Sequence, residues 1–174
     1  MLLPRFCSKV LSIPPNVPAR RMSPTDFTQY LHRNIPLTAA MQLRVLHSEG
    51  DRIELAAPLA PNRNHQDSAF GGALATLGIV SGWALLQQGL QREGIEARVV
   101  VQKSDCEFIL PVADEFTAAG SLPEEWPRFL DTLRKRRRAR ITVQTTLRSA
   151  GQEVVRHSGT FVAMQGVAMQ GDAS

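Results

Sequence analysis

Cysteine and tyrosine are scarce in this sequence, which contains two cysteines and one tyrosine in 174 residues. The two cysteines, Cys7 and Cys106, are too few for a disulfide framework or a four-cysteine zinc ribbon. The four histidines are scattered without the spacing that metal ligands need, so we predict no metal site. The sequence also lacks a P-loop, a Gly-x-Gly-x-x-Gly motif and a Gly-x-Ser-x-Gly nucleophile elbow.

Positive charge is concentrated near the N-terminus. The chain has 20 basic and 16 acidic residues, and residues 1–21 contain four of the basic residues and none of the acidic ones. The rest of the chain therefore carries 16 of each and no net charge. This balance does not favour broad electrostatic attraction to nucleic acid, and no nucleic-acid partner is predicted from it.

The length and the composition, with 43% hydrophobic and 21% charged residues, are typical of one globular domain. We predict this domain over residues 23–165. Prolines prevent a helix through residues 1–22, which we predict to be a disordered or weakly ordered extension, with an organelle-targeting peptide as the alternative. Residues 166–174 are predicted to fray. Since the apolar core of a secretory signal is missing, we expect a cytoplasmic location.

Local patterns predict helices mixed with strands. Ser23 followed by Pro24 is typical of a helix N-terminus, and Pro36 ends this first helix close to Asn34. Alternation of apolar and polar residues predicts a strand hairpin over residues 41–58. Further strands are predicted over residues 98–110, 115–121, 141–147 and 153–164, with a short helical segment over 124–133.

The segment from Gly71 to Leu86 has only two polar side chains, Thr76 and Ser81, and predicts a helix that is buried all round. Sixteen helical residues reach about 24 Å, short of the ~30 Å core of a bilayer, so no membrane span is predicted. The runs of strands around this helix indicate an α+β fold with an antiparallel sheet.

Small residues form a stripe along the same helix, at Gly71, Ala75, Gly78 and Gly82. Each interior glycine costs about 0.5–1 kcal/mol relative to alanine. The stripe therefore predicts a compensating close approach to another backbone, most simply that of a sheet wrapped around the helix. The edge strands of such a sheet have unpaired backbone N–H and C=O groups. Dimerisation with the two sheets joined edge to edge would pair them.

Four motifs flank or lie within this helix in a fixed order: Pro61-Asn-x-Asn64, Ala69-Phe-Gly-Gly72, Gly82-Trp83 and the strand Val100-Val-Gln-Lys-Ser-Asp105. Together they resemble the hot-dog thioesterase superfamily, and within it the thioesterase domain of the YiiD C-terminal type, over residues 23–165. The resemblance implies a hot-dog fold, a homodimer or dimer of dimers, and an acyl thioester bound between subunits.

The resemblance also implies that amide groups at the start of the central helix polarise the thioester carbonyl. A helix N-terminus suits a developing oxyanion because its first N–H groups are free. We assign this role to Gly72, and we predict substrate contacts from Gly71 and Phe70. The alternative is that the two glycines only permit a tight turn into the helix.

The loop before the glycines offers side chains that could handle water. By motif position, Asn64 would orient water or the carbonyl, and His65 would act as a general base. The alternative for His65 is an ordinary exposed loop histidine. Asp67 is a further catalytic candidate, although a residue of this kind is more often a turn residue or an electrostatic residue at a helix N-terminus. Ser68 is expected to cap the helix.

Better characterised hot-dog families carry a carboxylate seven or eight residues after the second glycine. This chain has Ile79 and Val80 at those positions. The nearest polar side chains, Thr76 and Ser81, cannot act as bases unaided. We predict a substrate contact from Ser81, and we expect the loop to supply the base in any hydrolysis.

A basic run occupies residues 134–140, with six cations in seven positions. The three interpretations are a solvated strand start, a phosphate site, and contact with nucleic acid or an anionic membrane. The phosphate site would serve coenzyme A or an acidic carrier protein through Arg136, Arg137 and Arg138, since the forked guanidinium suits phosphate.

The predicted function is hydrolysis of an acyl thioester in fatty acid metabolism, with acyl-coenzyme A or an acyl carrier protein as substrate. No separate cofactor is expected, because coenzyme A or phosphopantetheine belongs to the substrate. The alternative is a non-catalytic acyl-binding module of the same fold. A nucleic-acid-associated domain that uses the basic run is the third hypothesis.

Overall fold

The computed structural model describes residues 22–166, which fold around one long helix enclosed by an antiparallel sheet. The predicted N-terminal extension, apart from Met22, and the predicted frayed tail after Gly166 lie outside the described residues. The fold class is α+β, as predicted. The order of the strands and of the central helix along the chain is also as predicted.

Four α-helices and six strands make up the fold of residues 22–166. The helices are α1 (Pro24–Asn34), α2 (Pro36–Ala40), α3 (Gly71–Arg92) and α4 (Trp126–Arg136), with a 3₁₀ turn at Ala60–Asn62. The strands are β1 (Arg44–His47), β2 (Arg52–Ala57), β3 (Arg98–Phe108), β4 (Phe116–Ser121), β5 (Arg138–Ser149) and β6 (Gln152–Met164).

The six strands form one sheet in the order β1-β2-β4-β5-β6-β3, and every neighbouring pair is antiparallel. Ala150 and Gly151 both have positive φ angles, as a tight hairpin between β5 and β6 requires. The eleven-residue strand β3 lies at one edge of the sheet and pairs with β6 alone. One long edge strand therefore keeps a row of backbone hydrogen-bonding groups without a partner strand in the described chain.

Helix α1 begins as predicted, because the Ser23 hydroxyl accepts a hydrogen bond from the Asp26 amide at 3.1 Å. The hairpin predicted over residues 41–58 forms, but it starts later than predicted, because residues 41–43 follow α2 outside any strand and β1 begins at Arg44. Pro36 ends one helix and opens the next, since its fixed φ suits a first helical position.

Helix α3 has 22 residues and is six residues longer than predicted. Gln88 does not end the helix, because its buried side chain donates to the Gly50 carbonyl at 3.0 Å. By length and hydropathy α3 is the one described helix that could cross a membrane, but 72% of its apolar window is buried in the fold. Its contacts with β2, β3, β4, β5 and β6 make it the centre of the core.

Two glycines of the small-residue stripe let α3 approach β6. A methyl group on Gly78 would lie 2.7 Å from the His157 imidazole, and one on Gly82 would lie 2.9 Å from the Phe161 ring. The predicted close approach is therefore real, but it is made to side chains of β6 rather than to a backbone. Alternate residues of β6 point at the helix, which places a histidine and a phenylalanine in these two gaps.

Substitution of Gly78 by alanine tests this packing. The added methyl group would collide with the Cβ and ring of His157, and overpacking of this kind costs about 1–3 kcal/mol, more than the ~1 kcal/mol gained in helix propensity. We expect a lower free energy of unfolding in urea. Arg92→Ala, at an exposed position of the last turn, is the control and should change stability by no more than about 0.5 kcal/mol. A Gly78→Ala variant as stable as the wild type would contradict the packing.

Candidate functional site

The loop that leads into α3 is held by a buried asparagine. The Asn62 side chain is 4% exposed, and its amide donates to the Met41 carbonyl at 2.9 Å and the Pro58 carbonyl at 2.7 Å. Its backbone carbonyl accepts from the Phe70 amide at 2.7 Å. The first asparagine of the Pro-Asn-x-Asn motif therefore ties the two ends of the loop together, a role that the sequence analysis did not assign.

Helix α3 begins without a side-chain cap. Phe70 occupies the N-cap position with extended backbone angles, and its side chain caps no N–H group of the first turn. Ser68 was expected to cap the helix, but that prediction was wrong, because the Ser68 hydroxyl lies beside Asn64 instead. The amides of Gly71 and Gly72 thus belong to the helix turn whose N–H groups have no intrahelical acceptor.

An apolar depression of about 320 Å³ lies beside this helix start. Its walls are Ala69, Gly71, Leu74 and residues 108–112. Four large apolar side chains around it are exposed: Phe70, Phe108, Ile109 and Leu110. The exposed Gly72 has no space for a side chain, since a methyl group there would collide with the Phe70 ring. Free amide groups and an apolar surface therefore lie side by side.

The polar side chains of the loop are engaged mainly with one another. The Asn64 carbonyl oxygen accepts from the Gln66 amide at 2.8 Å, and its amide donates to the Ser68 hydroxyl at 3.1 Å. Asp67 is exposed, has a positive φ of 56°, and pairs with Arg63 at 3.1 Å. These contacts give Asn64 a structural role in the turn. Asp67 likewise serves the turn, which was the alternative to a catalytic role for this residue.

His65 lies at the exposed tip of this turn. Its imidazole makes no hydrogen bond or ion pair to any residue in the described part of the chain. The structure therefore places His65 in the same loop as Asn64, six residues before α3 begins at Gly71. No side chain among the described residues orients its ring.

The middle of α3 offers no base. Ile79 is half-buried and Val80 is buried, and the fully buried Ser81 donates its hydroxyl to the Leu77 carbonyl at 2.8 Å. Nine residues separate Ser81 from Gly72, about 13.5 Å along the helix. Ser81 is therefore not brought to the helix start. Between residues 22 and 166, no three His, Cys, Asp or Glu side chains are grouped to hold a metal ion.

The basic run is divided between two elements at the other end of α3. Arg136 ends α4, Arg137 is its C-cap with a φ of 60°, and Arg138 begins β5. Arg134 pairs at 2.9 Å with Glu93, which is the C-cap of α3. The length of α3, about 33 Å, therefore separates these arginines from the loop of the same chain.

A buried histidine that the sequence analysis treated as one of four scattered residues lies below the middle of α3. His157 is 1% exposed, and its ring nitrogens contact the Thr145 hydroxyl at 2.9 Å and the Ser104 hydroxyl at 3.0 Å. Burial lowers the pKa of His157, against a smaller opposing effect of the Asp105 charge. The only sign of this position in the sequence is the stripe of small residues on α3, which includes Gly78, the residue that His157 packs against.

The anchoring role of Asn62 predicts a stability loss in Asn62→Ala. The Met41 carbonyl, in a buried hydrogen bond, and the Pro58 carbonyl, in a partly buried one, would lose their donor, and loss of a buried partner costs about 1–3 kcal/mol. Chemical unfolding should show this drop. Arg63→Ala, the adjacent exposed position with only a surface ion pair, should change stability by less than about 1 kcal/mol. Equal stability of the two variants would mean that Asn62 does not anchor the loop.

The lowered pKa of His157 predicts that stability falls in acid. Below about pH 6.5 the unfolded chain protonates this imidazole while the folded protein keeps it neutral, so the free energy of unfolding decreases as pH falls from 6.5 to the folded-state pKa. Urea unfolding between pH 7.5 and 5 measures the slope. His157→Gln should reduce the slope, and an unchanged slope would count against His157 as its source.

Comparisons with known proteins agree with this architecture. Residues 24–165 match the family model described as putative thioesterase (yiiD_Cterm). A protein of unknown function from Chlorobaculum tepidum is 25% identical, with a TM-score of 0.75 over 82% of this chain and 97% of the other.

Two further solved structures show the same fold. A putative thioesterase from Shewanella oneidensis is 23% identical, with a TM-score of 0.75 over 81% of this chain and 96% of the other. The protein PA5026 from Pseudomonas aeruginosa, described as a probable thioesterase, is 22% identical, with a TM-score of 0.71 over 82% of this chain and 96% of the other. The chain has a hot-dog fold and belongs to the YiiD C-terminal family of putative thioesterases.

Proposed function

We propose that the protein hydrolyses acyl thioesters at the start of α3. The observation that carries this proposal is the uncapped, exposed helix N-terminus at Gly72 beside an apolar depression. The family match, over residues 24–165, supports the reaction class.

Carbonyl polarisation is the step that the backbone supports best. A carbonyl oxygen above Gly72 would accept a hydrogen bond from its N–H and lie at the positive end of a 22-residue helix. Both interactions strengthen as negative charge develops on that oxygen during attack, so they favour the transition state over the ground state. The Phe70 ring, which fills the space beside Gly72 and is 57% exposed, would turn aside to let the substrate reach this backbone.

The acyl chain would lie in the depression formed by residues 108–112. Phe108, Ile109 and Leu110 are each at least 38% exposed. Burial of an alkyl chain against such a surface would contribute about 0.8 kcal/mol of favourable free energy per methylene. The thiol carrier would be coenzyme A or the phosphopantetheine arm of an acyl carrier protein. Both present the same thioester to the helix.

Water activation is assigned to His65. In the proposed step, the imidazole takes a proton from water, the water oxygen bonds to the acyl carbon, and the C–S bond breaks. The thiolate leaves with the proton returned by the imidazole, so the products are a carboxylic acid and a thiol. Asn64 and Asp67 shape the turn that presents His65.

A homodimer is proposed on two features of the chain. Strand β3 is an edge strand, and the exposed apolar side chains of Phe70, Phe108, Ile109 and Leu110 lie next to it. A second copy could cover this surface and complete the acyl site. Arg136–Arg138 could then contact substrate phosphate only if they come from the second copy, because about 33 Å of α3 separates them from Gly72 in one chain.

A non-catalytic acyl-binding module is the second candidate. Two features favour it. Ile79 and Val80 occupy the positions on α3 where a catalytic carboxylate would be expected, and no described side chain orients His65. The two candidates predict the same binding of an acyl thioester, and they differ in turnover alone.

Hydrolysis of acyl-coenzyme A from acetyl to palmitoyl, followed by release of free thiol, tests the proposal. His65→Ala should reduce kcat/KM by about 100-fold or more, the usual contribution of a general base. Gln66→Ala, at the next exposed position, is the matched control and should retain activity. Absence of turnover with coenzyme A and carrier-protein thioesters, in folded protein, would overturn hydrolysis. Retained binding would then favour the acyl-binding module.

A further inference from the structure

Three side chains on neighbouring strands form a hydrogen-bonded row below α3. Ser104 lies on β3, His157 on β6 and Thr145 on β5. Thr145 is paired directly with His157 across the sheet, and Ser104 is paired with Gly159, two residues further along β6. All three side chains therefore point to the helix-facing side of the sheet.

With the proton of His157 assigned to Nδ1, every contact in this row pairs one donor with one acceptor. The Gly78 carbonyl can only accept, so the Thr145 hydroxyl, at 3.4 Å, donates to it. The Thr145 oxygen then accepts from the His157 Nδ1–H at 2.9 Å. This leaves His157 Nε2 without a proton, as an acceptor for the Ser104 hydroxyl at 3.0 Å.

The imidazole in the middle of the row is fixed in place. His157 is 1% exposed, and its ring fills the space opposite Gly78 and Gly159, where an added methyl group would lie within 3.0 Å of it. Burial lowers the pKa of His157, which favours the neutral ring at neutral pH. Ser104, at the outer end, is exposed.

We infer that Ser104 is a nucleophilic serine, with His157 as its base and Thr145 as the positioning residue for that base, and that it accepts acyl groups from activated esters and thioesters. A hydroxyl within hydrogen-bond reach of an imidazole that a third group orients is the general signature of an activated nucleophile. This site is additional to the one proposed at Gly72.

The two sites are physically separate in one chain. Gly78, which contacts His157, lies six residues beyond Gly72, and six helical residues span about 9 Å. The start of α3 lies against Phe108, and four strand residues, about 13 Å, separate Phe108 from Ser104 along β3, so a carbonyl held by the Gly72 amide is out of reach of Ser104 in the same chain. The inference about Ser104 does not rest on hydrolysis at the helix start.

The transfer step balances without a further reactant. The Ser104 oxygen bonds to the acyl carbon while His157 Nε2 takes the hydroxyl proton. The bond from the acyl carbon to the leaving sulfur or oxygen breaks, and that atom takes the proton from Nε2. The products are an acyl-serine and a free thiol or alcohol.

A fluorophosphonate probe tests the inference, because the serine oxygen displaces fluoride and keeps a stable phosphonyl group. We expect a single adduct on the intact protein, which peptide mapping places at Ser104 and which Ser104→Ala abolishes. The labelling rate should fall about 100-fold or more in His157→Gln. Thr145→Val should slow labelling and Thr145→Ser should restore it, which a purely structural role of Thr145 would not do.

Two internal comparisons complete the experiment. Ser158, whose hydroxyl is hydrogen-bonded to the Gln144 amide rather than to an imidazole, should remain unlabelled. The neighbouring thiol Cys106, whose pKa is raised mainly by burial and whose side chain is hydrogen-bonded to Ser104, should also remain unlabelled in peptide mapping. No adduct at Ser104, or labelling that is equal in folded His157→Gln, would overturn the inference. Should His157→Gln fail to fold, the two Thr145 variants decide.

Discussion

The packing of α3 against β6 is the constraint on which the rest of the structure depends. Gly78 and Gly82 remove the side chains that would otherwise collide with His157 and Phe161, so the sheet can enclose the helix closely. A helix buried along most of its length can expose functional groups mainly at its ends. The first turn, at Gly71 and Gly72, is where its backbone amides become available to a ligand.

Much of the fold follows from local patterns in the sequence. Alternation over β2, β5 and β6 and the continuous apolar run of α3 each have one dominant interpretation. The errors came where tertiary contacts decide. Gln88 appeared to end the helix, but it is buried and its side-chain amide donates to the Gly50 carbonyl. Residues 36–40 form a helix that is too short for a periodic signal.

The candidate site was predicted less completely than the fold. The motif placed Gly72 in the first turn of the central helix and the loop directly before it, and the structure has the same order, because both depend on sequence neighbours. It did not reveal that Asn62 anchors the loop or that Ser68 bonds to Asn64, because several residue types at those positions can serve a turn. The Ser104–His157 contact joins residues 53 positions apart and depends on strand register, which no local pattern specifies.

The most direct measurement of ligand binding at Gly72 is by nuclear magnetic resonance. A 2-oxoalkyl thioether of coenzyme A keeps the carbonyl group but lacks the scissile bond, and it can be titrated into ¹⁵N-labelled protein. The amide resonance of Gly72 should move downfield and saturate with the ligand, while that of Gly94, beyond the other end of α3, stays in place. Saturable shifts confined to Arg136–Arg138, with Gly72 unmoved, would contradict a carbonyl site at the helix start.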